Sequence, residues 1–123
     1  MTESPYKEKN WLARGIKATG YSLAGLAAAL RHEPAFQALT ALAIVLIPAA
    51  FWAGQTPLER ALLIGSVMLT LVAEIINAAI EATVDRVSYE RHPLAKRAKD
   101  LGSAAVLLAL LSAAAVWLLI LLR

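Results

Sequence analysis

The chain has 123 residues, 59% of them apolar and 17% charged, with no cysteine. One domain is expected at this length, and disulfides and thiolate metal sites are excluded. Soluble domains carry about 45–50% apolar residues, so positive mean hydropathy argues against both disorder and an ordinary water-soluble fold. The net charge is +3. In so apolar a chain, excess Lys and Arg reads as dressing for a membrane surface and not as a nucleic-acid interface.

Residues 1–10 read as a flexible tail. Residues 11–32 are too polar to span a bilayer, yet Leu12, Ile16, Leu23, Leu26, Ala27 and Leu30 recur at helical spacing, with Arg14, Lys17 and Tyr21 on another face. That pattern predicts an amphipathic helix lying on the membrane surface. Gly15, Gly20 and Gly25 lower its intrinsic helicity, and Pro34 marks its junction with the first span. Apolar stretches follow at 35–53, 61–84 and 101–122, each near the roughly 20 residues a helical span requires. Three such stretches predict an all-α membrane protein, because lipid cannot satisfy free backbone groups. Pro48 is expected to kink the first span. No signal peptide or internal repeat is recognised. Lys7, Lys9, Arg14, Lys17 and Arg31 precede the first span, and Arg86, Arg91, Lys96, Arg97 and Lys99 separate the second from the third. Arg60 and Arg123 fall on the other side. The bias predicts a cytoplasmic N-terminus and an external C-terminus.

The informative feature is acid inside the second span. Ser66, Thr70, Glu74, Asn77, Glu81 and Asp85 recur at i+3 and i+4. Glu81 and Asp85 fall within about 20° of Glu74 around a helix, and Asn77 lies about 60° away. Leu71, Ile75 and Ile80 occupy the other side. An intramembrane carboxylate costs about 2.5–3.5 kcal/mol on insertion scales, so it asks for a reason. The plain structural reading is interhelical glue, with the acids paired to Lys or Arg. The functional reading is a cation or proton site, in the half of the span that lies next to the cytoplasm. Glu33, just before Pro34, falls at the level of Glu81. Taken alone it is an exposed helix-end charge, but with Glu81 and Asn77 it offers the oxygen donors that Mg²⁺ prefers. Lys99-Asp100 opens the third apolar stretch. Asp100 is expected to cap that helix, and Lys99 has the charge to neutralise phosphate.

Other patterns carry less. Gly15 to Ser22 has P-loop spacing, but Tyr21 stands where Lys is required and no strand precedes it. His32 and His92 are isolated and lack metal-ligand spacing.

The run from Glu74 to Arg86, EIINAAIEATVDR, resembles the signature of bacterial integral-membrane diacylglycerol kinases. Arg14 to Ala18, Gly20-Tyr21-Ser22, Glu33 with Ala35-Phe36, Ser66-Val67-Met68 and Arg97 to Val106 are similar as well, so the likeness covers about Trp11 to Trp117. It implies a homotrimer of three-span protomers, each with a surface helix, in the bacterial cytoplasmic membrane. It implies transfer of phosphate from ATP to diacylglycerol, giving phosphatidic acid. By the same resemblance Glu74 is the general base, Glu33 and Glu81 hold Mg²⁺ on ATP, and Asn77 positions that cluster. Lys99 and Asp100 contact the nucleotide, with Arg14, Lys17, Tyr21, Glu90 and His92 around it. Arg14, Ser22, Ala35, Ser103, Trp52 and Trp117 border the lipid. Two places depart from the pattern. Gln37-Ala38-Leu39 replaces more polar residues, which bears on the lipid pocket, and Arg91 replaces an aromatic, which bears on adenine. An undecaprenol kinase shares the fold and signature and is the alternative enzyme. A proton- or cation-conducting membrane protein would also explain the stripe, and a non-catalytic assembly partner would make Glu74 matter for stability only.

Overall fold

The computed structural model describes residues 10–87 and 92–123. They form four helices and, among the described residues, no strand: α1 (Trp11–His32), α2 (Pro34–Ala53), α3 (Pro57–Val87) and α4 (Pro93–Leu121). The last three are long and apolar enough to cross a membrane. The protein is therefore a multi-pass helical membrane protein. α3 packs most extensively on α4 and next on α2, while α1 touches α2 only lightly.

Local chemistry sets each boundary. Asn10 caps α1 by accepting a hydrogen bond from Leu12 N at 2.9 Å. Glu33 is the single residue between α1 and α2, held extended at φ −112°, ψ 99°. The following proline disfavours a helical conformation at that position, so Pro34 ends α1 and occupies the first turn of α2. Gln37 Nε2 donates to Leu30 O at 2.9 Å and ties the junction together. Pro48 lies inside α2, which nonetheless continues to Ala53. At the next corner, Thr56 Oγ1 accepts from Glu59 N at 3.1 Å and Glu59 Oε1 accepts from Gln55 N at 2.7 Å. This reciprocal bonding resembles a capping box and starts α3 at Pro57.

Two helices outrun their apolar stretches. α3 begins at Pro57 and ends at Val87, and α4 begins at Pro93. Charged residues flanking a span still propagate the i to i−4 ladder once the apolar segment has nucleated it. The expected cap at Asp100 is therefore corrected. His92 caps α4, its Nδ1 accepting from Leu94 N at 3.0 Å. Asp100 lies two turns inside and pairs with Lys96 at 2.6 Å.

Packing within the chain relies on small residues. Ala29, Ala43, Ala50, Ala73 and Ala109 are buried, whereas Leu119 and Trp52 are 74% and 92% exposed. In lipid there is no gain from hiding leucine, so helices associate where small side chains let backbones approach. At the 54–56 end, Ala50, Leu63 and Ile120 form a closed cluster covered by Ala53, Ile64, Val116 and Trp117. Beside it, Arg123 Nε meets Glu59 Oε2 at 2.9 Å, and the same guanidinium donates to the carbonyls of Ala53 and Ile120. One arginine thus ties the ends of α2, α3 and α4 together. Glu59→Gln is expected to cost about 1 kcal/mol, because the pair is only partly shielded. Thermal unfolding should record the loss, with catalytic turnover unchanged at temperatures well below the transition.

Candidate functional site

α3 organises the site. Its buried positions are Leu63, Ser66, Val67, Thr70, Ala73, Glu74 and Asn77, a continuous face at helical spacing. That face changes character along its length. Leu63 is fully enclosed, Ser66 and Thr70 follow, then Glu74 at 5% exposure and Asn77 at 8%, then half-buried Glu81 and Asp85. The polar stripe therefore faces the interior of the helical bundle.

Its members differ in what they do. Ser66 Oγ donates to Leu63 O at 2.8 Å and Thr70 Oγ1 to Val67 O at 2.6 Å. These hydroxyls donate to carbonyls of their own helix. Asp85 does follow the plain structural reading, pairing with Lys99 Nζ at 2.7 Å across the α3–α4 contact. Glu74 differs. Its carboxylate hydrogen-bonds with Asn77 and feels the charges of Glu81 and Glu33. Glu33 reaches this level because the one-residue junction drops it at the head of α2. Two further acids, one on α3 and one at the α1–α2 junction, therefore act on the Glu74 carboxylate. Asn77 sits among them, its Nδ2 3.4 Å from Glu81 Oε1, and its buried Oδ1 has no hydrogen-bond partner.

Among the described residues, no three His, Asp or Glu side chains gather as a complete metal site. The donor set nevertheless fits a hard divalent cation. Glu33 and Glu81 supply oxygen donors, and Mg²⁺ usually completes its shell with water and substrate phosphates. Glu33 and Glu81 are half-buried, and a bound cation would offset their charge.

The remaining candidates scatter around this cluster. The α1 turns carrying Arg14, Lys17, Tyr21 and Ser22 contain no buried residue, since only Ala29 is buried in α1. Tyr21 is 74% exposed. Ser22 Oγ donates to Ala18 O at 2.9 Å. Ala35 is exposed on the first turn of α2 and Ser103 is exposed on α4. Lys99 and Asp100 are engaged by Asp85 and Lys96, and His92 by its capping bond. Glu90 and Arg91 lie outside the described residues. Trp52 and Trp117 belong to the opposite end: Trp52 projects outward, and Trp117 packs on the Ala50–Leu63–Ile120 cluster. Trp117 also lines an apolar cavity of about 280 Å³ with Leu39, Leu42, Leu46, Val67, Thr70 and Leu110, among others. The cavity reaches Thr70, one turn of α3 from Glu74. Leu39 is part of its wall.

Sequence reasoning missed three contributors. Gln37 and the Asp85–Lys99 bridge leave no periodic signal, because each depends on which elements meet. Thr56 with Glu59 was legible as a Thr-x-x-Glu pattern at a helix start.

Together these features define a three-span helical membrane protein with a buried acid–amide cluster near one end of the bundle. Residues 20–121 match the family model described as prokaryotic diacylglycerol kinase. The chain is 54% identical to a diacylglycerol kinase of Pseudomonas aeruginosa over 99% of both chains. It is 47% identical to one of Escherichia coli over 88% of both chains. It is 42% identical to one of Helicobacter pylori, covering 94% of this chain and 89% of the other. The chain belongs to the prokaryotic diacylglycerol kinase family.

Proposed function

We propose that this protein is a lipid kinase that transfers the γ-phosphoryl group of ATP to the free hydroxyl of diacylglycerol, yielding phosphatidic acid and ADP. The observation that carries this reading is a carboxylate, Glu74, buried at 5% exposure beside Asn77, in a chain whose relatives bear that activity in their names. The acceptor hydroxyl belongs to a molecule that cannot leave the membrane, so the base that takes its proton must sit within the span. Glu74 accepts that proton as the hydroxyl oxygen bonds to the γ-phosphorus. The bond from the γ-phosphorus to its bridging oxygen breaks, and ADP departs with the electron pair. Phosphoryl transfer asks mainly for positioning and charge neutralisation, so a few side chains suffice without a nucleotide-binding domain.

Glu33 and Glu81 would hold Mg²⁺ on the ATP phosphates, with Asn77 positioning that set. When bound, the ion would offset the charge of the transferring group. Lys99 and Asp100 would meet the nucleotide, Asp85 holding Lys99 at the membrane edge. The predominance of basic residues at this end supports a cytoplasmic placement of the site and N-terminus, with the C-terminus outside. α1 would lie on that surface as an amphipathic helix. A homotrimer accounts for the loosely packed α1, whose polar residues would complete a neighbouring copy's site.

An ion path is less well supported. The stripe is closed at one end by Leu63, Ala50 and Ile120, and the hydroxyls of Ser66 and Thr70 are spent on their own backbone. The deciding assay offers diacylglycerol and undecaprenol in parallel, in mixed micelles with Mg-ATP. Phosphatidic acid as the main product is expected. Preference for undecaprenol would keep the mechanism and change the substrate. Phosphorylation of neither lipid by folded protein would end the kinase reading.

A further inference from the structure

We infer that Gly102 is a positioning residue whose missing side chain leaves the space in which the Asn77 amide is held beside Glu81 and Glu74. The inference rests on the kinase reading for its catalytic consequence, although its geometry stands alone.

Gly102 lies inside α4 and is buried. Glycine is a poorer helix former than alanine, so a buried one in a helix interior needs a reason. Backbone conformation is not that reason, since no described residue has positive φ. The space around it is. A Cβ at Gly15, Gly20, Gly25 or Gly65 would meet nothing within 4 Å. At Gly102 it would run into Asn77 Oδ1, and would lie 3.3 Å from Asn77 Cγ and 3.5 Å from Ile80 Cδ1. Asn77 has little room to yield. It is buried, it bridges towards Glu81 through Nδ2, and it neighbours the Glu74 carboxylate. Turning the amide away from α4 would give up both relationships. The buried Oδ1, without any hydrogen-bond partner, is the atom that a methyl group would strike.

The effect of filling this space falls on the chemical step. Gly102→Ala is expected to lower kcat at least tenfold while KM for ATP and for diacylglycerol stay within twofold. A packing defect alone would not depend on Asn77. In an Asn77→Ser background the clashing Oδ1 is gone and a single rotatable Oγ stands in place of Cγ, so adding Gly102→Ala should change the remaining rate less than twofold. A structural readout runs beside this. Asn10 and Asn77 are the chain's two asparagines. In full-length protein labelled with side-chain ¹⁵N-asparagine, Gly102→Ala should move the Asn77 amide signal and leave that of Asn10 in place. If the single variant fails to fold, the Asn77→Ser/Gly102→Ala pair must fold. An unmoved Asn77 signal, an unchanged kcat, an equal loss in both backgrounds, or misfolding of both variants would overturn the inference. If the wild type phosphorylates no lipid, the kinase reading falls, and the amide signal still decides whether Gly102 places Asn77.

Discussion

Glu74→Gln should reduce phosphorylation of diacylglycerol by about a hundredfold to ten-thousandfold, the span associated with loss of a general base. The substitution keeps the side chain's length and removes only its capacity to take the hydroxyl proton. Stability should move the other way. Glu74 is buried near Glu81 and Glu33, and like charges in that setting oppose folding. The glutamine variant should therefore unfold at the same temperature as wild type or above it. Activity lost with stability retained would mark a residue kept for chemistry. A parallel fall in both would return Glu74 to a packing role, as the assembly-partner reading requires. Glu74→Asp supplies the control for geometry. It retains the carboxylate but withdraws it by one methylene, and misplacement on that scale costs about a hundredfold.

Glu33→Gln and Glu81→Gln should each raise the Mg²⁺ concentration needed for half-maximal rate by about tenfold or more at fixed ATP, in the range seen when a metal's ligand environment is disturbed. KM for the lipid should change little. The two acids arrive from unrelated parts of the chain, one at the α1–α2 junction and one on α3, so a shared metal phenotype would be hard to explain by local damage. A Mg²⁺ titration that overlays the wild-type curve for both variants would remove these carboxylates from the metal site. Addition of a chelator should abolish turnover in every active variant, and restored Mg²⁺ should recover it.

Much of this architecture could be read from residue order. The three apolar stretches locate the spans because bilayer thickness sets a minimum length. The 3.6-residue period places Glu74, Glu81 and Asp85 on one face, and the pairing of Glu33 with Pro34 marks a sharp junction. These are local or periodic properties, which sequence displays directly. Helix ends were less accurate. The apolar stretches suggested that α3 and α4 begin at Ala61 and Leu101, whereas they begin at Pro57 and Pro93. Helical bonding runs on into charged turns that hydropathy assigns to loops, and for that reason His92 and not Asp100 caps α4.

Sequence by itself determined that the chain enters a membrane, how many times it can cross, and which acidic residues share a helical face. Only the tertiary structure decided which of those acids are satisfied and which are not. Asp85 is neutralised by Lys99, fourteen residues away, while Glu74 has an amide, Asn77, as its hydrogen-bond partner and feels two further acids, Glu81 and Glu33. It also decided that Gly102 faces Asn77, whereas Gly65 faces open space. The physical reason is common to both cases. A helical period states which side chains point the same way, but the partner that neutralises a charge or leaves room for an amide comes from another helix, through a packing angle and register that no single segment contains.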